Sequence, residues 1–175
     1  MKFYKMLITS IVLVMGVSNL SADNVIYPQT KNGMSYKIVL ESLKNDHNKR
    51  NKFFISVVND LKKTMPMKLD EITNLVDVNY IMGVVVYQYK LDVTKSLPNK
   101  KIKKVNNIML KNNTNIVCTN PAVRVLIHKT GVKLKYVYNY KDSVYMFGFI
   151  ISEKDCMSKK FKFDEEMYDI AIQGL

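Results

Sequence analysis

Two cysteines, two histidines and a few carboxylates are the side chains through which this sequence could carry out chemistry. His47 and His128 are far apart in the chain, and neither lies in a cluster of histidines and cysteines such as metal sites show. Asp70 and Glu71 are adjacent in a strand-like segment, where neighbouring side chains point to opposite faces, so they make a poor general acid–base couple. Scattered acids could still converge in space on a metal ion: Asp70, Glu71, Asp77 and Asp92.

The sequence also lacks the short motifs of common enzymes. It has no Gly-x-Ser-x-Gly elbow, no Cys-x-x-Cys and no glycine-rich phosphate loop, and its six glycines do not cluster. We therefore expect no enzymatic activity, no catalytic residue, no bound metal and no cofactor.

The N-terminus has the features of a secretory signal peptide, residues 1–22. Lys2 and Lys5 precede a largely apolar run from Met6 to Val17, and small or polar residues follow. That run is shorter than the ~20 apolar residues of a transmembrane helix. We expect cleavage after Ala22, with Ser18 as the alternative, which leaves a single domain, residues 23–175, without a transmembrane segment. The expected location is secreted or periplasmic.

Export gives the two cysteines a structural meaning. An even number of cysteines in an exported chain favours disulfide bonding over catalysis, and Cys118 and Cys156 allow one intramolecular pairing. A disulfide that closes the loop between Cys118 and Cys156 stabilises the fold by roughly 4 kcal/mol in the chain-entropy model.

A lysine-rich helix is the most distinctive surface feature. The net charge is +12, and removal of the two signal-peptide lysines leaves +12 − 2 = +10. Residues 94–113 have helical periodicity, with Ile102, Val105, Ile108 and Met109 forming an apolar stripe. Lysines occupy many of the remaining positions of this helix. Their positive charge favours contact with an acidic protein, a glycan or an anionic lipid surface, whereas export disfavours nucleic acid as the partner. The alternative is an ordinary solvated helix face. The candidate partner-binding lysines are Lys100, Lys101, Lys103, Lys104 and Lys111.

The remaining elements are two helices and two hairpins. An apolar stripe from Phe54 to Met65 predicts a helix that Pro66 ends, and Pro121 begins a short helix that stops at Gly131. Alternation predicts one hairpin from residues 70–78 and 84–92, with Val76 and Val78 on one face. It predicts a second hairpin from residues 132–140 and 144–152.

These elements predict an α+β domain of order α-β-β-α-α-β-β. We expect a four-stranded antiparallel sheet with helices on one face and one disulfide. The similar segments "YQYK" (87–90) and "YNYK" (138–141) each place two tyrosines on one strand face. Because the second pair continues an apolar series that begins at Val132, we expect these tyrosines in the core.

The segment "NIVCTNPAVRVLIHKTGVKLKYVYNY", followed by "GFIISEKDC", resembles small exported disulfide-bridged domains of Gram-negative bacteria whose function is unsettled. The signal peptide and the lysine and asparagine content are similar to secreted proteins of Campylobacter-like organisms. The resemblance covers about residues 66–156. It implies export, the bridge and the α+β order, and it brings no active site with it.

The function expected from these features is that of a small exported binding protein with a basic helix facing an acidic partner. A secreted effector, a host-contact factor and a periplasmic accessory protein all fit. An inhibitor or immunity-type protein that blocks a secreted or periplasmic enzyme is the alternative. A hydrolase with a site assembled from distant residues is the third hypothesis.

Overall fold

The computed structural model describes residues 36–93 and 97–163, so the signal-peptide prediction for residues 1–22 lies outside the described residues. The described chain forms helices around one sheet. In chain order the elements are α1 (Tyr36–Asn45), α2 (His47–Lys62), β1 (Met67–Lys68), β2 (Thr73–Ile81), β3 (Val84–Leu91), α3 (Asn99–Thr119), α4 (Pro121–Thr130), β4 (Lys133–Asn139), β5 (Tyr145–Ile151) and α5 (Glu153–Cys156), followed by a 3-10 turn, Lys159–Phe161.

The mixed α+β class is confirmed, but the expected four-stranded antiparallel sheet is wrong. The sheet has five strands in the order β1-β2-β3-β4-β5, and the short strand β1 and the helices α1 and α5 add to the expected element order. Both expected hairpins form, yet β3 and β4 pair in parallel. Parallel neighbours need a long crossover, which α3 and α4 supply. This crossover returns the chain to the start of β3, where the Lys133 amide donates to the Gly83 carbonyl at 2.9 Å.

Local sequence signals set the element boundaries. Asp46 caps α2 by accepting a hydrogen bond from the Lys49 amide at 3.0 Å, and Asn120 caps α4 in the same way. Gly131 ends α4 in the left-handed conformation at φ 67°, which a glycine adopts without steric cost.

The inner face of the sheet is an aromatic layer that packs under the helices. Two rows of rings cross the neighbouring strands β3, β4 and β5, and side chains along each row are directly paired in the strand register. Because β3 and β4 are parallel, the segments "YQYK" and "YNYK" lie side by side. The expectation that their tyrosines belong to the core is confirmed. The rows are Tyr87–Tyr136–Phe149 and Tyr89–Tyr138–Phe147.

A bulge in β2 corrects the predicted alternation. The register between β2 and β3 shifts between Leu75 and Asp77, so Val76 has no direct partner on β3. Leu75 and Val78 are both buried as a result, whereas unbroken alternation would place them on opposite faces.

Candidate partner-binding site

Helix α3 presents the candidate lysines on its outer side. Met109, Asn113 and Val117 are buried on the inner side, where α3 packs against β5 and α4. The side chains of the candidate lysines are all exposed: Lys100, Lys101, Lys103, Lys104 and Lys111. Within residues 36–93 and 97–163, none of these lysines forms an ion pair with a carboxylate.

The spacing along α3 aligns part of this charge into one row. Positions three or four residues apart lie above one another on a helix. We call the resulting row the outer stripe of α3. It runs along the outer side of the helix from its first turn: Lys100, Lys104, Asn107, Lys111 and Asn115. Cys118, which is buried, lies just beyond its end.

The expected disulfide between Cys118 and Cys156 is present, and it lies just beyond the end of the outer stripe. The two Cα atoms are 5.4 Å apart, and both cysteines are fully buried. Cys156 lies in α5, and the chain continues from there into the 3-10 turn, Lys159–Phe161. Lys160 Nζ donates to Asn115 Oδ1 at 3.3 Å, so the turn lies against α3. The disulfide and this hydrogen bond together fix the segment that follows β5 against α3.

A groove of about 710 Å³ lies along this junction. Leu110 and Ile116 of α3 and Phe161 of the turn supply apolar surface, while Lys111 and Lys160 supply positive charge. The remaining lining is polar and uncharged: Asn107, Asn112, Thr114 and Asn115. Among the described residues, no carboxylate lines this groove.

A buried ion pair holds α5 from its other side. Arg124 of α4 is only 1% exposed and makes two hydrogen bonds to the Glu153 carboxylate, one of them from Nη2 to Oε1 at 3.0 Å. His128 Nδ1 lies 3.0 Å from the same oxygen. Phe163 stacks on the His128 ring with centroids 4.0 Å apart and lies under the Arg124 guanidinium. The cluster thus ties α5 and the following chain to α4.

Sequence reasoning missed this cluster, although one signal was available. Arg124 lies between Val123 and Val125 in a short helix that is largely apolar, and both valines are buried. A buried arginine needs a carboxylate partner. Nothing in the linear sequence identifies that partner as Glu153, which lies beyond two further strands.

Three of the four scattered acids have separate structural partners, and the four do not converge. Asp70 Oδ1 accepts from the Ile72 and Thr73 amides, and Asp77 accepts from the Asn79 side chain. The hydrogen bond from Lys141, together with its charge, lowers the pKa of Asp92. In residues 36–93 and 97–163, no group of three or more His, Cys, Asp or Glu side chains is placed to hold a metal ion.

None of the described helices combines the length and the apolar character that a bilayer crossing requires.

No protein-family model and no curated protein match this sequence. Its fold is similar to that of the type 2 secretion system pilotin from Vibrio vulnificus. The TM-score is 0.50 at 10% identity, and the match covers 70% of this chain and 99% of the pilotin.

Two further solved structures are similar at lower scores. One is a protein from Pseudomonas aeruginosa assigned as secreted, with TM-score 0.48, 13% identity and coverage of 71% of this chain and 99% of that chain. The other is the type II secretion system pilotin from Vibrio cholerae, with TM-score 0.44, 11% identity and coverage of 69% and 97%. At these identities the likeness concerns the fold alone. The likeness to Campylobacter-like secreted proteins stays a prediction.

Proposed function

We propose that this chain is an exported, non-enzymatic accessory protein that binds an acidic protein partner through the outer side of α3. The observation that carries the proposal is the row of exposed lysines that no described carboxylate neutralises. A rigid helix holds these charges at fixed spacing, so they can match carboxylates on a partner.

The fold and the covalent structure support an exported accessory role. A disulfide persists in the oxidising compartments outside the cytosol, which agrees with a secreted or periplasmic location. The similar Vibrio vulnificus structure is a pilotin, a component of a type 2 secretion system. A protein that works within such an assembly acts by contact with other proteins, and we propose the same mode of action here.

A protein partner fits the surface better than a lipid or a glycan. The outer stripe combines lysines with asparagines and leads into the groove, where apolar side chains are partly buried. An apolar groove of this kind adds nothing to the binding of a sulfated glycan. It also lies between α3 and the 3-10 turn, so a flat bilayer surface does not enter it.

The proposal is tested by measuring the affinity of the mature, oxidised protein for three anionic probes. The probes are polyglutamate, a sulfated glycan and vesicles containing phosphatidylglycerol. We expect polyglutamate to bind with an affinity that falls as salt increases. The variant Lys100→Glu/Lys104→Glu/Lys111→Glu should bind it at least tenfold more weakly, with a flatter salt dependence.

A matched variant controls for net charge. Lys133→Glu/Lys135→Glu/Lys154→Glu makes the same change in charge at lysines that are also exposed but lie on β4 and α5. Equal losses of polyglutamate affinity in the two variants would show that the effect comes from overall charge, and would refute a site on α3. Tighter binding of the glycan or of the vesicles than of polyglutamate would refute the protein partner.

A further inference from the structure

The second wall of the groove beside α3 belongs to a segment far away in the chain, and the disulfide links this segment covalently to α3. Phe161 and Lys160 line the groove opposite α3, and they follow Cys156 by only a few residues. Two links join this wall directly to α3: the Cys118–Cys156 bond and the hydrogen bond from Lys160 to Asn115. On its other side the wall is held to α4 by the Arg124–Glu153 ion pair and by Phe163, which stacks on His128. Without the bond between the two sulfur atoms, the direct attachment of the wall to α3 is reduced to one exposed hydrogen bond, although its contacts with α4 remain.

The groove and the outer stripe form one continuous surface. Asn107, Lys111 and Asn115 belong to both, and Lys100 and Lys104 extend the row toward the start of α3. A ligand that lies along α3 therefore meets positive charge over the first turns and apolar surface over the later ones. Lys111 and Lys160 keep the apolar part positively charged at its rim.

We infer that this surface is the docking site for an amphipathic segment of the partner protein, with acidic residues on the outer stripe and apolar residues in the groove. The inference rests on the proposed function and specifies its partner. The charge selects an acidic segment, since the described lining has lysines and no carboxylate. The apolar side chains beside a basic row select an amphipathic helix, which binds other proteins by laying its apolar face in a groove.

Docking is therefore coupled to the redox state of the protein. Reduction of the Cys118–Cys156 bond removes the covalent link between α3 and the wall that carries Phe161, while Glu153 and Phe163 still hold that wall to α4. The two sides of the groove are then no longer fixed relative to each other. The lysines of the outer stripe do not depend on this bond. Reduction should thus lower the affinity for an acidic amphipathic ligand more than the affinity for a purely acidic one.

The probes for this inference are two synthetic helical peptides of about 16 residues, a length sufficient for several turns. One carries leucines on one face and glutamates on the other, and its twin has lysines in place of the glutamates. Binding to the full mature chain is measured by fluorescence anisotropy. We expect the glutamate peptide to bind and the lysine peptide not to bind.

The variant Phe161→Ala tests the groove without touching the disulfide. We expect it to weaken the glutamate peptide about tenfold, as truncation of a buried aromatic contact commonly does. Tyr145→Ala is the matched control, since Tyr145 is 63% exposed and lies on β5 outside the groove. Reduction by a thiol reagent should also weaken the peptide about tenfold, while polyglutamate binding changes less than twofold.

The outcomes separate the inference from the proposed function. If Phe161→Ala and reduction leave peptide binding unchanged while the triple lysine variant abolishes it, the acidic partner stands and the groove is overturned. If the lysine peptide binds equally well, or if neither peptide binds, the docking inference is overturned. The proposed function is then tested separately, by the affinity for polyglutamate.

The chain's own acidic segment is the rival occupant. Residues 164–175 contain four carboxylates together with apolar residues. In the full chain, Asp164→Asn/Glu165→Gln/Glu166→Gln/Asp169→Asn removes those charges. If the glutamate peptide binds only to this variant, the native occupant is this segment, and the assignment of the groove to a partner is overturned.

Discussion

The inner face of the sheet and the outer stripe of α3 are both built from similar residues repeated at the period of the secondary structure. Tyrosines recur every second residue in β3 and β4, and lysines and asparagines recur every third or fourth residue along the outer stripe. The tyrosines are closed off under helices, whereas the lysines face outward with no carboxylate partner among the described residues. Repetition alone therefore does not identify a binding site, because the layer on which the repeat lies decides its role.

The two surfaces should differ most in their effect on the free energy of unfolding at alkaline pH. Burial raises the pKa of the inner-face tyrosines above the ordinary value of about 10: Tyr87, Tyr89, Tyr136 and Tyr138. The protonated form is thus favoured by folding. This stability is fully present below the unfolded pKa and is lost as pH rises above it toward the folded value.

Each such tyrosine contributes a slope of at most about 1.4 kcal/mol per pH unit, so four of them give at most about 5.5 kcal/mol per pH unit. Denaturant unfolding at pH 9 and at successive values above 10 measures this slope. Tyr89→Phe should reduce it by about a quarter. A free energy of unfolding that is constant across this range would contradict a closed aromatic layer.

Loss of the disulfide should lower the free energy of unfolding by about 4 kcal/mol, since the bond closes a loop with a sequence separation of 38. The variant Cys118→Ser/Cys156→Ser and the reduced wild type should agree, which denaturant unfolding checks. Under native conditions, the two surfaces should respond differently to loss of the disulfide. Amide hydrogen exchange should increase at 159–161 and stay low in β3 and β4. If amide exchange increased only in the sheet, the disulfide would stabilise the core and not the groove wall.

Glu153→Ala should destabilise the protein by about 3 kcal/mol, because Arg124 is left buried without its carboxylate. Thermal and denaturant unfolding measure the loss, and Lys154→Ala, at an exposed neighbour, is the control. The double variant Arg124→Met/Glu153→Ala should recover most of the stability. If it is as unstable as the single variant, the ion pair is not the cause of the loss.

The smallest effect on stability should come from the lysines. Each reversal in Lys100→Glu/Lys104→Glu/Lys111→Glu should change the free energy of unfolding by less than about 0.5 kcal/mol, as for other exposed sites. Denaturant unfolding of the triple variant checks this. A cooperative loss of several kcal/mol would mean that these lysines have structural partners, and would remove the basis for a free binding surface.

Sequence patterns predicted the local features of both surfaces. Period-two alternation placed Tyr136 and Tyr138 in the core, and helical periodicity placed the lysines outside. The disulfide followed from two cysteines in a chain expected to be exported. Each of these inferences depends only on nearby residues or on a single available pairing.

The features that were not predicted depend on distant parts of the chain. The parallel pairing of β3 with β4 requires knowing where α3 and α4 return the chain. The bulge at Val76 shows only against the partner strand. The groove depends on Phe161 and Leu110 lining the same cavity, and the ion pair depends on Glu153 lying beside Arg124, although each pair is separated in the sequence by two strands. Residue types alone do not specify such meetings.

Hydrogen–deuterium exchange of the oxidised protein, with and without the glutamate–leucine peptide, locates the binding surface directly. Binding along α3 should slow exchange at 100–116 and 159–161, because the peptide covers the outer stripe and the groove. Exchange in β4 and β5, which carry the exposed Lys135 and Ile150, should not change. Slower exchange in these strands, with none in α3, would contradict a partner-binding surface on that helix.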